Sequence, residues 1–590
     1  MSNKVRNCVK TVAEIFLVLV LTAAMEYFYF GFHCIDFTAP LSYSGDGLTS
    51  VWCARKTMGT AGDELLGWPY FADTSAYAPN YSKLYVILIK FLGLFTQDTV
   101  LVFNLYLFTV PLVNVLVTYL VFRGLKIRRW LAYGGALAFG FCPYVQYRLP
   151  GHTALAAVEC IPLVLLLCFW CMEDERFNAP GKAWFRYPKN WAGLFFCWMI
   201  ANNGIVYYPF FSCFLFLLLA FCLLICTKDW RRAIKPVISI VQTAGFLALA
   251  FLPSVMGMLE GAGNSATNGV ARNKMHAAIY GMRLNALFMS PKGFGIKKLE
   301  ISFRDYIRCV QDIDPNTTNE NLHAYMGVIA ILGFVLLMIA FASQLHPFHG
   351  NKTGTRIWLL SRFEIAVILL GVLTGIGTIV AFLVPMLRCY NRISPFLVCI
   401  GVFAAVLTAE WLLSNRCTKR RSFAILSAAI AIVFVYALWE QQGTYCYFGS
   451  NEGNAQAASN DRLFVEQIEE TAGADAMVFQ LPYMASFENG WTGNIPDYDH
   501  LRGVLYSDTL RWSYGAGTGT QNDLWYKDTA ELPPEQLVEE VRNKGFAGIW
   551  LNLDGYEETE GIALKNALCS ASSCASVIEC ADGHTIYIPF

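Results

Sequence analysis

Two arginines four residues apart, Arg388 and Arg392, occupy the short stretch RCYNRIS (388–394) between two apolar runs. If the turn extends a helix, that spacing puts both guanidiniums on one face, a geometry suited to gripping a phosphate through forked, charge-assisted bonds. Pro385 and Pro395 bracket the segment and imply a shaped turn; anchoring in a headgroup layer is the competing use of arginines there. Asp46 stands in YSGDGLTSVW (43–52) between Gly45 and Gly47. Its carboxylate suits a general base or a metal ligand, and equally a cap for the helix that follows. Arg148 and His152 fall in YRLPGHTALAAVE (147–159) and join the two arginines as candidate phosphate contacts. Glu159 lies seven residues past His152, on the same face if one helix runs through both.

Other polar groups suit hydroxyl-rich ligands. Asn202, Asn203 and Tyr207 gather where an apolar run breaks at Asn202-Asn203-Gly204, and Glu159, a carboxylate inside a span, is a further candidate sugar contact, although tyrosines at such a break also fit an interfacial aromatic belt. Toward the C-terminus, Glu488, Trp491, Arg511, Trp512 and Tyr514 combine charge with aromatic faces that suit sugar rings, or they form a rigid cap that only packs. The loop 259–323 adds Arg272, Lys274, Arg283, Lys292 and the pair Asp312 and Asp314, a pattern common by chance. No CxxC, HExxH or Cys/His cluster with zinc spacing occurs, so no structural metal is expected. A divalent ion, Mg or Mn, at Asp46 stays open. No P-loop, GxGxxG or Ser-His-Asp arrangement appears.

The elements that must position these groups belong to a membrane. The 590 residues are 55% hydrophobic and only 15% charged, with mean hydropathy +0.42, too apolar for a soluble globular chain of this length. At about 20 apolar residues per crossing, eleven spans are expected near 11–32, 98–122, 130–147, 154–172, 189–205, 206–226, 235–258, 324–344, 363–386, 393–414 and 422–440. Lys and Arg crowd the N-terminus and the connections at 123–129, 228–235 and 416–421, which puts those on the cytoplasmic side. The loops 33–97 and 259–323 and the tail then lie outside a cell membrane. The first span reads as a retained anchor rather than a cleaved signal.

Residues 1–440 thus form a transmembrane domain. The tail 441–590 reads as a small α/β domain, with helices at FVEQIEETAG and EQLVEEVRNKG and strands at AMVFQLPY, FAGIWLNL and HTIYIPF. Most cysteines sit in spans; Cys446, Cys569, Cys574 and Cys580 could pair in an oxidising compartment. No nucleic acid is expected as a partner, and the absence of an internal repeat argues against an inverted-repeat carrier.

The arrangement of a first span, an acid in the first large loop, some ten further spans and a C-terminal domain resembles the GT-C class of membrane glycosyltransferases. YRLPGH, YNRIS, QLPYMASFE and LYSDTLRWSYGAGTG resemble bacterial members termed YfhO-like or sugar translocases. The resemblance implies a polyprenyl-phosphate sugar donor, a glycan or lipid-linked acceptor, and Asp46 in the place of the catalytic acid. Many GT-C enzymes carry an acidic pair there; this chain offers only Asp36 or Asp63 beside Asp46. A flippase for lipid-linked saccharide, or a glycan polymerase or ligase, would need similar residues.

Overall fold

The computed structural model describes residues 3–59, 63–72, 74, 81–178, 186–260, 276–313, 320–343, 352–417, 419–486 and 489–590. Among these, seven helices are long and apolar enough to cross a membrane: Cys8–Tyr29, Thr99–Gly124, Thr153–Glu173, Tyr207–Thr227, Trp230–Pro253, Tyr390–Asn415 and Arg420–Gln441. The chain is a polytopic helical membrane protein with a small sheet near its C-terminus. The stretch Thr153–Glu173 lies at the centre, with 89% of its most apolar window buried.

Four of the eleven expected spans take a different form, and local chemistry explains each. The stretch 130–147 is the helix Arg129–Gly140 followed by the short helix Pro143–Arg148, because Pro143 has no N–H to continue the ladder. The stretch 189–205 ends at Ala201, before Gly204 at φ +59°. Val328–Ala342 spans fifteen residues and packs tightly on Ser394–Asn415. A methyl group on Gly333 would lie 1.8 Å from the Gly401 carbonyl oxygen, the close approach that small residues permit in membranes.

The fourth, 363–386, is broken. The helix begins at Lys352 and ends at Gly371; Thr374 is left-handed at φ +61°, and Ile376–Leu383 follows as a separate short helix. The segment 280–282 fills the break. Met282 donates to Gly371 O at 2.7 Å, Leu373 donates to Met282 O at 2.9 Å, and Asn391 donates to Tyr280 O at 3.0 Å. A loop strand therefore sets the position of the arginine-bearing turn.

The C-terminal region carries the expected elements: the helices Glu452–Ala472 and Pro534–Asn543 and the strands β1 Met477–Leu481, β3 Phe546–Asn552 and β5 Thr585–Pro589. Two short strands were not expected, β2 Arg511–Trp512 and β4 Ile578–Glu579. The sheet order is β2-β1-β3-β5-β4, with β1 parallel to β2 and β3 and β5 antiparallel to its neighbours. The free edge of β2 is covered by the first large loop: Gly67 donates to Tyr514 O at 2.8 Å and Trp68 to Trp512 O at 3.0 Å. Capping an edge this way blocks strand addition. The same loop is bound by Tyr43 Oη to Asp461 (2.6 Å), Asn451 to Asp36 O (2.9 Å) and Asn522 to Phe71 O (2.6 Å).

The four cysteines considered for disulfides, Cys446, Cys569, Cys574 and Cys580, are separate thiols. The helix Lys297–Ile313 buries none of its residues.

Candidate active site

Asp46 enters the site through the helix Gly45–Met58, which its flanking glycines allow to start abruptly. Gly45 adopts φ +52°, and a side chain at Gly47 would meet Ser42 Oγ at 2.1 Å. Asp46 falls in the first turn, where the helix dipole favours a carboxylate. His152 Nε2 lies 3.2 Å from Asp46 Oδ2.

His152 and Glu159 do not share one helical face, because the helix breaks between them. Thr153–Ala156 ends at Ala157 (ψ 90°), and a new helix begins at Cys160. Asn114 supplies the bonds lost at the break: its Nδ2 donates to Ala156 O at 3.0 Å, and its Oδ1 accepts from Val158 N–H at 2.9 Å. His152 is thereby turned to Asp46, while Glu159 is buried beside Asn203.

Arg148, at the end of Pro143–Arg148, forms an ion pair with Glu320. Arg392 reaches the same carboxylate at 3.3 Å. Tyrosine rings wall the three charges: Tyr144 and Tyr147 lie 5.4 and 5.1 Å from the Arg148 guanidinium, and Tyr207 lies 4.8 Å from that of Arg392. Side-chain exposures of 1% for Arg148, 13% for Arg392 and 9% for Glu320 make this a nearly dry cluster. Among the described residues, Arg148 Nε and Nη1, Arg392 Nε and Glu320 Oε2 have no hydrogen-bond partner, although Oε2 faces Arg148 across the ion pair. Two cations facing one anion leave positive charge and unused donors at one spot, an environment that favours a further anion.

The electrostatics follow this geometry. Burial works to raise the proton affinity of Glu320, but Arg148 and then Arg392 outweigh it and hold the carboxyl far below its usual range. Burial and Arg148 hold His152 below its ordinary value, which favours the neutral ring. A neutral ring that carries its proton on Nε2 can donate to Asp46 Oδ2 at that distance. His323 is lowered to about 4 by burial and Arg148; its ring stacks on Tyr147 at 4.2 Å.

The arginine pair is not a clamp. Cys389 (φ −102°, ψ 80°) precedes a single turn of tight helix, Tyr390–Ile393, so Arg388 and Arg392 diverge. Arg388 bonds His276 Nδ1 at 2.7 Å and lies over Tyr280; Arg392 alone joins Arg148.

The candidate sugar contacts scatter. Asn202 closes a helix end, donating to Trp198 O at 2.9 Å. Tyr207 Oη donates to Met386 O at 3.3 Å, and its ring faces Arg392. Trp512 and Tyr514 are fully buried in the sheet core and offer no open face to a sugar. Arg511 stacks over Trp68 at 4.5 Å and pairs with Asp475. Glu488 lies outside the described residues, as do Arg272, Lys274 and Asp314.

Three residues that the sequence did not single out belong here: Asn114, Glu320 and Asp497. Asp497 sits on the loop after β1 and accepts the N–H groups of Asn489 and Tyr498 at 3.2 and 3.1 Å. It is raised to about 6 by burial, with the charge of Asp46 adding to the effect. Exposed Trp491 is on the same loop. Among the described residues, one group of three metal-capable side chains forms, Asp461, Cys580 and Asp582. Asp461 there already accepts from Tyr43, and Asp582 from the 584 and 585 amides.

Comparison with known proteins follows the membrane region. Residues 84–383, half of the chain, match the family model described as Domain of unknown function (DUF6311). No curated protein matches. Among solved structures, arabinofuranosyltransferase AftD from Mycobacteria superposes with TM-score 0.51 at 11% identity, over 98% of this chain and 40% of AftD. The oligosaccharyltransferase AglB from Archaeoglobus fulgidus, with an inhibitory peptide and a dolichol-phosphate, gives 0.43 at 12% over 98% and 74%. ArnT from Cupriavidus metallidurans, bound to undecaprenyl phosphate, gives 0.37 at 11% over 97% of each chain. The chain therefore shares the fold of the AftD region it covers, and spans about 40% of the length of AftD.

Proposed function

The chain belongs to the DUF6311 family, and for this member we propose a membrane glycosyltransferase that uses a polyprenyl-phosphate-linked sugar. One observation carries the reading: an arginine-rich, partly unsatisfied anion seat (Arg148 and Arg392) lies in the same electrostatic cluster as an Asp46–His152 pair. The fold shared with an arabinofuranosyltransferase supports it. Within the GT-C class, YRLPGH and YNRIS favour the YfhO-like grouping.

The reaction balances with the groups present. Asp46 takes the proton of an acceptor hydroxyl as its oxygen attacks the anomeric carbon. The bond from that carbon to the phosphate oxygen breaks, its electron pair leaves on the phosphate, and polyprenyl phosphate is released. One displacement inverts the anomeric centre. Arg148 and Arg392 stabilise the charge that develops on the phosphate, an effect of several (~3) kcal/mol per preorganised donor. His152, kept neutral, orients the carboxylate. Asp46 and His152 could supply two ligands for a Mg or Mn ion, and no third donor among the described residues completes a group around them.

The acceptor is a cell-envelope glycan or a lipid-linked molecule, approached from the side of the C-terminal domain. That side is external, since the opposite end carries Arg123 and Arg129 around Glu14 and Arg128 on Glu410, the basic pattern of a cytoplasmic face. The test is release of polyprenyl phosphate from a panel of polyprenyl-phosphate sugars by protein reconstituted in nanodiscs, with and without glycan acceptors. Turnover of at least one donor is expected. Saccharide crossing the bilayer with the phosphate bond intact would replace this reading with transport.

A further inference from the structure

The seat assigned to the donor phosphate is occupied by the protein's own carboxylate. Glu320 contacts both Arg148 and Arg392, yet Arg148 Nε and Nη1 and Arg392 Nε remain without hydrogen bonds. A carboxylate has two oxygens and one charge, too few to satisfy two guanidiniums that offer ten N–H donors between them. The donor's phosphodiester has two free oxygens and one charge, as the carboxylate does, whereas the polyprenyl phosphate monoester left after transfer has three free oxygens and up to two charges, a closer match to what the cluster lacks.

The backbone around Glu320 is built unevenly. Its short turn, Glu320–His323, is held at the far end. His323 stacks on Tyr147 and meets Tyr445 edge-on, Met326 donates to Leu287 O at 3.1 Å, and Tyr325 Oη donates to Glu440 at 2.8 Å. On the near side, the preceding helix Lys297–Ile313 has no buried residue to resist displacement. The ion pairs to the arginines are the main contacts recorded for the Glu320 side chain.

We propose that Glu320 is a displaceable stand-in for the lipid phosphate: it pairs with Arg148 and Arg392 in the empty enzyme and withdraws as charge builds on the phosphate that becomes polyprenyl phosphate. This rests on the phosphate-seat reading above. It gives Glu320 two consequences, keeping the buried arginines from standing unpaired and making each donor compete with an internal anion.

The test measures binding of a defined polyprenyl monophosphate in nanodiscs, with inorganic phosphate as a second probe. Glu320→Gln keeps the shape and removes the competitor, so polyprenyl phosphate should bind about ten-fold more tightly than to wild type. Inorganic phosphate should gain by a similar factor if the seat recognises the phosphate alone, and gain less if the lipid chain contributes to seating. Glu320→Asp, which retracts the charge by one methylene, should fall between wild type and Gln; it decides the matter should the Gln variant fail to fold. Unchanged or weaker binding in the variant that folds would overturn the proposal. Arg392→Ala separates the two layers. If it loses polyprenyl phosphate binding while Glu320→Gln gains none, only the stand-in fails; if it binds as wild type does, the seat itself is wrong.

Discussion

Two buried ionic clusters in this molecule look alike and are built for opposite ends. In the first, Arg148 and Arg392 share the single acid Glu320, and three of their N–H-bearing atoms have no hydrogen-bond partner. In the second, Arg502 is shared by two acids, Asp499 at 2.8 Å and Asp461 at 3.8 Å, with side-chain exposures of 7% and 5%. There the acceptors are also taken up: Asp461 receives Tyr43 Oη and Asp499 receives Asn552. The second cluster joins the first large loop to the C-terminal domain and is a joint. The first holds surplus positive charge, and is a socket. What separates the two is the ratio of cations to anions, two to one against one to two, and not burial or unpaired N–H groups, since Arg502 Nε is also without a hydrogen-bond partner among the described residues.

The largest effect expected from this contrast is on stability. Arg502→Ala leaves two buried carboxylates without their cation, which should cost about 3–5 kcal/mol. Thermal unfolding should shift down strongly, and the junction between the first loop and the sheet should open to proteolysis. Arg392→Ala leaves Glu320 still paired with Arg148, so its melting temperature should move much less. Equal shifts for the two variants would erase the distinction between joint and socket.

The next effect separates the two arginines that the sequence presents as a pair. Arg392→Lys loses a planar donor inside the dry cluster and should reduce donor turnover by about 1.5–3 kcal/mol, roughly ten- to hundred-fold. Arg388→Lys, at a site that bonds His276 outside the cluster, should stay within a few-fold of wild type. Equal losses would restore the clamp that the structure takes apart.

The reasons for that mismatch are physical. The i, i+4 spacing of Arg388 and Arg392 reports a shared face only on a continuous helix, but Cys389 leaves helical geometry, the Asn391 N–H goes to Tyr280 O, and the same loop strand fills the earlier break at Gly371–Leu373. The same logic undid the His152–Glu159 face, since Asn114 replaces backbone bonds that a helix would have made. Neither insertion leaves a local trace in the sequence. Glu320 was equally silent: it is an ordinary acid in a loop, 72 residues from Arg392, and only the fold brings them together. What could be read was local and periodic. The long apolar runs became the seven longest spans, and the alternating segments of the tail became β1, β3 and β5. Several expected spans are shorter or broken helices, because apolar content alone does not say where proline or a left-handed residue ends a helix. Trp512 and Tyr514 were singled out for their chemistry, but they fill a core, the commoner use of large aromatic rings.

The central claim is that Asp46, oriented by His152 beside the arginine socket, takes the acceptor's proton. Single-turnover transfer from a polyprenyl-phosphate sugar by Asp46→Asn tests it most directly, because the substitution keeps size and hydrogen bonding while removing the base. The account predicts that the Asn variant binds polyprenyl phosphate within about two-fold of wild type while transfer slows by roughly 10²-fold or more. Transfer at the wild-type rate would contradict it and return Asp46 to the role of a first-turn acid at a helix N-terminus.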